Sequence, residues 1–453
     1  MELVEQRGTI QKDGSRKFVH PADVRGRFTR LRYVLFAVLI GVYLALPFVR
    51  INGRPAVFLD IPGRRFFLFG LSFNAQDFWL AFFLLTGLGF LLFLVTTLLG
   101  RVWCGYACPQ TVFLEGVYRR VERLVEGPAQ VRIRRNRSAW SFDKVWRKTL
   151  KHGLFVGISL VLSHFFLSYF VSLPSLWAMV RGSPADHPAA FGWVMGMSAV
   201  LYFNFAWFRE QLCLIVCPYG RLQSLLTDDD TLVIGYDERR GEPRGKVTNP
   251  NAGDCIDCNR CVAVCPTGID IRNGLQIECI GCAACIDACD DIMDKVGRPR
   301  GLIRYDSLNG LAGEKRRVLR PRIWLYVALG AVGLAVAGFA FRSHAPYEAN
   351  ILRLSGPPYV VEGDRVRNSF NLHLVNKRDA EATFELVPLP VEGLDYTLPM
   401  REVRVAPLED VNVPLFLHAD RGAVAAGTRA GIEIRPEHGD PRTVTAPFVA
   451  PGR

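Results

Sequence analysis

Five apolar runs interrupt an otherwise polar chain: Tyr33–Val49, Phe78–Leu99, Gly153–Leu173, Phe191–Phe208 and Ile323–Phe341. Each is close to the roughly 20 residues that a helix needs to cross about 30 Å of hydrocarbon. Isolated polar residues inside them, such as Thr86, Ser159 and Asn204, can bond a neighbouring helix or their own backbone. One such run could be a buried helix of a soluble protein, but five predict an integral membrane protein. The first 30 residues are polar and basic and the first apolar run is full length, so no cleavable signal peptide is expected. After Phe341 the period changes. Apolar residues alternate in Phe370-Asn-Leu372-His-Leu374, Phe384-Glu-Leu386, Val403-Arg-Val405, Val411-Asn-Val413-Pro-Leu415-Phe-Leu417 and Ile432-Glu-Ile434, with Pro and Gly between them. That predicts a small all-β antiparallel sandwich, with Pro414 marking an edge strand.

Length and composition narrow this little further. At 453 residues the chain has room for about two or three units. A hydrophobic content of 50%, a charged content of 22% and a mean hydropathy of +0.16 exclude disorder, collagen and a coiled coil. The formal charge of +12 would suit a nucleic-acid binder, but membrane proteins collect Lys and Arg on their cytoplasmic side for topological reasons alone. The tail before Leu31 carries seven such residues, Arg50–Asp77 four, Arg101–Lys151 twelve, Pro174–Ala190 one and Arg209–Arg322 seventeen. The short loops decide orientation, so the amino terminus and Arg209–Arg322 are expected inside and the chain after Phe341 outside. The cluster Arg132, Arg134, Arg135 and Arg137 reads as a topological anchor beside anionic lipid, and no nucleic-acid partner is expected. The expected division is a tail over 1–30, a four-helix membrane region over 31–208, a cytoplasmic segment over 209–322, a fifth span over 323–341 and an outer domain over 342–453.

The twelve cysteines all fall in Arg101–Gln110, Gln211–Gly220 or Cys255–Cys289, on the side read as reducing. Such thiols serve as metal ligands or redox groups more readily than as structural disulfides. Cys255-x-x-Cys258-x-x-Cys261-x-x-x-Cys265-Pro266 is followed by Cys279-x-x-Cys282-x-x-Cys285-x-x-x-Cys289, the two-cluster bacterial ferredoxin pattern, over about 250–295. Three cysteines within seven residues let one tight loop wrap three corners of a cubane, and the fourth thiolate crosses from the other repeat. Cys255, Cys258, Cys261 and Cys289 are therefore assigned to one [4Fe–4S] cluster, and Cys279, Cys282, Cys285 and Cys265 to the other. Zinc sites rarely double this spacing. Asp290 stands where the first repeat has Pro266, and its charge tends to lower the potential of the nearby cluster.

Two further pairs close the second and fourth spans, Cys104-Gly-Tyr-Ala-Cys108-Pro109 and Cys213-Leu-Ile-Val-Cys217-Pro218, offset by 109 residues throughout. Spans one-two and three-four thus form two hairpin repeats. On a helix, positions i and i+4 share a face, so each pair can present two sulfurs, and packed hairpins can gather four. Soft thiolates suit Cu(I) or iron–sulfur chemistry, and such a pair can also cycle as a disulfide. Elsewhere, His164 lies in the third span and His152 at its inner edge; Met195 and Met197 read as core filling, and Asp228-Asp229-Asp230 as a solvated turn. No Walker loop, dinucleotide fingerprint or nucleophile elbow is present, which argues against direct use of ATP or NAD(P)H.

The combination of WCGYACPQTVFLEGVYRRVER, CLIVCPYGRLQ, the doubled ferredoxin motif and MDKVGRPRGLIRY resembles the CcoG/FixG family of cbb3-type cytochrome c oxidase accessory proteins over nearly the whole chain. The resemblance implies a multi-pass protein of the bacterial inner membrane, with an immunoglobulin-like carboxy-terminal domain in the periplasm. It also implies a cupric reductase converting Cu(II) to Cu(I) for the oxidase copper centre, with oxidase assembly factors, copper chaperones or transporters as partners. Cys104, Cys108, Cys213 and Cys217 match the family's membrane motifs suggested to bind or reduce copper, and the eight ferredoxin cysteines match its cluster ligands. The electron donor (quinol, flavin or a cytoplasmic reductase) and any homodimer are left open. Two rival readings are a NapH-like quinol dehydrogenase subunit serving a periplasmic partner and a non-catalytic scaffold with redox-sensing clusters.

Overall fold

A computed structural model describes residues 18–51, 53–74, 78–342, 346–378, 380–407 and 409–451. The chain forms two compact units, one of residues up to Gly63 with 81–336, the other of 64–80 with 337–453.

In the first unit, five helices are long and apolar enough to cross a membrane: Arg27–Phe48, Phe82–Leu99, Phe142–Leu167, Pro188–Phe208 and Pro321–Phe339. Many of their large apolar side chains, among them Leu85, Leu88, Val161, Val200 and Leu334, point outward. That is the arrangement expected where lipid tails rather than a protein core receive them. Met195 is among the exposed side chains, so it does not fill a core. The third helix starts eleven residues before the apolar run expected to form it. Ser141 caps it by accepting the Lys144 N–H at 3.3 Å. Its basic first turns are not turned to lipid but paired, with Lys148 at 2.9 Å and Lys151 at 3.3 Å from Glu126. Hydropathy alone misses a helical turn whose charges are neutralised by a neighbour.

Two of the polar residues noted within the spans, Ser159 and Asn204, bond across helices. Ser159 meets the Tyr118 hydroxyl at 2.8 Å, and the Tyr118 ring stacks on Phe205 at 4.4 Å and meets Phe155 edge-on at 4.9 Å. His164 bonds the Leu160 carbonyl at 2.8 Å, one turn back, and His152 the Tyr202 hydroxyl at 3.0 Å. Both histidines are thus accounted for by helix packing. The arginine cluster is only partly an exposed anchor. Arg132 is buried and ion-paired to Glu122 at 3.0 Å, and Arg135 bonds the Glu126 carbonyl at 2.5 Å. The aspartate run is also more than a solvated turn. Asp228 pairs with Arg320, and Asp230 accepts the Arg317 N–H at 2.9 Å, fixing the approach to the fifth span.

In the second unit, two antiparallel sheets enclose an apolar core. One orders 394–397, 410–420, 365–376 and 347–353; the other orders 402–405, 382–389, 429–436 and 442–447. Leu372, Leu374, Phe384, Leu386, Leu415 and Ile432 point between them, as their alternation requires. Pro414 departs from the expectation, because its strand is flanked by 365–376 on one side and 394–397 on the other. The latter pairs only with Phe416–Ala419. At Pro414 itself that side is open, so the missing N–H deprives no partner.

Candidate electron-transfer site

The ferredoxin-like segment is closed by an antiparallel ribbon pairing Val233–Tyr236 with Ile303–Asp306. Its two cysteine loops share an unusual backbone. Left-handed residues occur two and four positions after the first cysteine in each: Asp257 and Asn259 in one, Gly281 and Ala283 in the other. Left-handed conformation costs an ordinary residue roughly 1–2 kcal/mol. Asp, Asn and Gly bear it best, which leaves Ala283 as the position where surrounding structure must hold the strain. These bends wrap the chain around a centre and turn N–H groups inward, so that Gly281 and Ala284 donate to the Cys279 and Cys282 sulfurs.

The grouping of thiols crosses the repeats. Cys265, Cys279, Cys282 and Cys285 line one internal space walled by Ile269, Ile271 and Ile280, which Cys261 of the other set also borders. Cys289, from the second repeat, has Cys255, Cys258 and Cys261 as its electrostatic neighbours. Burial pushes Cys279 and Cys289 up to about 12 and Cys261 to about 11, and raises Cys285 as well. Thiols held in such apolar walls stay protonated unless a metal displaces the proton. Among the described residues, no three His, Cys, Asp or Glu side chains close on a single ion. Soft thiols in apolar walls, with backbone N–H groups turned onto the sulfurs, are the donors an iron–sulfur cluster takes. The donor set fits the clusters.

The two C-x3-C-P turns differ from the single helical face expected of them. Cys104 lies in the short helix Val102–Tyr106, and Cys213 in the wider π-helical turn Leu212–Val216. Cys108 and Cys217 fall outside those turns as extended N-cap residues of the next helices, with Pro109 and Pro218 at the first helical position. The cause is local, since proline forces its predecessor out of helical geometry and is itself favoured at a helix start. The four thiols nonetheless lie within one another's electrostatic reach. Burial pushes Cys104 up to about 11 and Cys213 to about 12. Gln223, on the helix after Cys217, donates to the Cys104 sulfur at 3.3 Å and ties one turn to the other hairpin.

The first turn also touches the ferredoxin loop. Cys104 packs against the apolar group of Val264, Ile280, Cys282 and Ala288. A Cβ on Gly105 would stand 2.9 Å from the Ile280 and Gly281 carbonyl oxygens and 3.0 Å from the Cys282 Cα. Tyr305 donates to the Gly281 carbonyl at 2.6 Å and meets the Tyr106 hydroxyl at 3.3 Å. Sequence reasoning missed this junction. Its signal was glycine at 105 where the other repeat has Leu214.

Below the turns, a buried ionic clamp holds the hairpins. Gln110 and Asn204 exchange amide bonds at 3.2 and 2.7 Å, Glu122 pairs with Arg209, and Arg119 meets Glu210 at 3.3 Å while donating to the Pro266 carbonyl at 3.1 Å. Burial alone would raise the Glu122 carboxyl, but Arg209, Lys151 and Arg132 outweigh it and hold it at about 2.

Similarity to known proteins extends over the whole arrangement. Protein RdxA of Cereibacter sphaeroides is 38% identical, with 95% of this chain and 97% of that protein covered. Nitrogen fixation protein FixG of Rhizobium meliloti is 36% identical over 86% of this chain and 81% of its own length. Protein RdxB of Cereibacter sphaeroides is 37% identical over 91% of each. The chain belongs to the FixG/RdxA family. Within it, residues 208–308 match a 4Fe-4S dicluster domain, 80–128 a 4Fe-4S binding domain, and 337–451 the family described as an IG-like fold at the C-terminal of FixG.

This FixG/RdxA-family chain is therefore an iron–sulfur electron-transfer protein with two [4Fe–4S] clusters and an immunoglobulin-like carboxy-terminal domain. The clusters, when bound, supply one-electron chemistry. The chain's own residues provide an apolar enclosure, inward N–H groups and direct packing of one cluster loop on a second thiol site.

Proposed function

We propose that this protein is a cupric reductase of the bacterial inner membrane. It passes single electrons from its clusters to Cu(II) at Cys104, Cys108, Cys213 and Cys217, and the Cu(I) formed serves assembly of a cbb3-type oxidase copper centre. Each turnover balances as one electron from a cluster and one Cu(II) reduced to Cu(I). The observation that carries the reading is the packing of Cys104 against the Cys282 loop, with a glycine at 105 where a side chain would part them. Soft thiols retain Cu(I) better than Cu(II), so the site favours the product. Cys255, Cys258, Cys261 and Cys289 hold one cluster, and Cys265, Cys279, Cys282 and Cys285 the other. The charge count along the loops supports a cytoplasmic amino terminus and ferredoxin segment (209–322) and a periplasmic sandwich (342–453).

The test uses full-length protein purified without oxygen, with its clusters reduced and excess reductant removed. Added Cu(II) should reoxidise the clusters and appear as Cu(I) bound to a selective chelator. Replacing Cys104 and Cys108 with Ala should slow both signals and leave the iron content intact. Copper reduction at the wild-type rate in that variant would overturn the assignment of the site.

A further inference from the structure

The two cluster sites sit in opposite electrostatic surroundings. Beside Cys282, the first span carries Arg32, only 4% exposed. Its Nε donates to the Gly105 carbonyl at 3.0 Å, while one terminal nitrogen, Nη2, is buried with no hydrogen-bond partner. An unmet donor of this kind costs about 1–3 kcal/mol, more when charged, so an acceptor is to be expected. Glu115 faces the same region but is paired with Arg119. Asp287 is taken up by the Thr29 N–H and hydroxyl, both at 2.7 Å, and by the Phe28 N–H. Arg101 adds a second positive charge near Cys279.

Around the other thiol set the balance reverses. Asp290 lies beside Cys289. Arg272, near Cys261, is held by Asp257 at 2.6 Å and Asp270 at 2.7 Å, which leaves that group net negative. Cys258 there is exposed to solvent.

We propose that Arg32 is a positioning residue for direction: its guanidinium faces the cluster of Cys265, Cys279, Cys282 and Cys285 and holds that cluster's potential above its partner's. A nearby cation favours the more negative, reduced state, and a nearby anion disfavours it. Electrons then enter at the exposed Cys258 side and leave beside Cys104, and one side chain, bonded to the Gly105 carbonyl, marks the exit. The inference rests on the two-cluster reading and adds the order of the clusters.

Potentiometric titration of the full-length protein, followed by electron paramagnetic resonance, tests it. Arg32→Met should lower one midpoint only, cutting that cluster's reduced-to-oxidised ratio at a fixed potential by about tenfold. Asp290→Asn should raise the other midpoint. Arg32→Lys, which keeps the charge, should stay near wild type, and Arg32→Gln serves as the neutral variant if the Met variant folds poorly. Midpoints that stay put, or that move together, in the charge-free Arg32 variants would overturn the proposal. Iron well below about eight per chain in the wild type would instead sink the two-cluster reading itself.

Discussion

Cys104 and Cys213 stand at matched places in two hairpins, 109 residues apart, yet meet different neighbours. The first turn carries Gly105, Tyr106 and Ala107, lies against the cluster loop and bonds Tyr305. The second carries Leu214, Ile215 and Val216 at those positions, and its Ile215 and Val216 are 45% and 56% exposed. Repetition supplies two thiol pairs. Side-chain size beside the first cysteine decides which pair lies against the cluster loop. The second is left to complete the thiol set from the other hairpin, through the Gln223 bond to Cys104.

The firmest way to break this comparison is to loosen what holds the hairpins in register. Glu122 is 2% exposed and meets Arg209 and Arg132. Glu122→Gln leaves both guanidinium groups without their carboxylate, which should cost about 3–5 kcal/mol, read as a lower melting temperature in detergent. The sign with pH is fixed. With the carboxyl held at about 2 in the folded protein against 4.5 ordinarily, its stabilisation is complete above the ordinary value and is lost as pH falls toward 2. The variant should lack that acid-side loss. Cys213 should also become more open to alkylation than Cys104, which keeps its ferredoxin contacts. Equal opening of both would mean the clamp does not separate the turns.

Exchanging the residues that distinguish the turns is the next strongest probe. Gly105→Leu drives a side chain into the Ile280–Cys282 backbone. Lengthening the gap between donor and acceptor slows electron transfer, so electron delivery from reduced clusters to Cu(II) should fall clearly, with iron retained. Leu214→Gly should change it less than about threefold, since the altered side chain lies away from the junction. Stopped-flow reoxidation of the clusters measures both, and similar losses in the two variants would erase the distinction.

Much of the arrangement was readable because it depends on period and spacing. The five apolar runs, the alternating strands and the thiol sets repeat at intervals that local geometry dictates. What escaped depended on partners far along the chain. Arg32 adjoins an apolar run and carries no motif that marks it until the fold brings Gly105 and Cys282 to it. Lys148 and Lys151 argue against a span until Glu126 neutralises them. The i, i+4 reading of the cysteine pairs failed for a reason already present in the sequence, the proline after the second cysteine, whose effect on its predecessor outweighs helical continuity.

The smallest effect concerns the bond that joins the two turns. Burial pushes the Cys104 thiol up to about 11, and the Gln223 N–H opposes that rise. Replacing Gln223, itself buried, with Leu removes a donor that favours the thiolate, so the thiol should titrate higher still. Only the thiolate reacts with a small alkylating reagent. In metal-free protein between pH 7 and 9, the Cys104 rate should therefore rise about tenfold per pH unit in both proteins. It should be about two- to tenfold lower in Gln223→Leu, matching the 0.5–1.5 kcal/mol of one hydrogen bond. Cys213, to which Gln223 makes no such bond, should keep its rate. If instead Cys213 slows in step with Cys104, the amide acts on the shared packing of both hairpins. The first turn would then owe its special character to the ferredoxin junction alone.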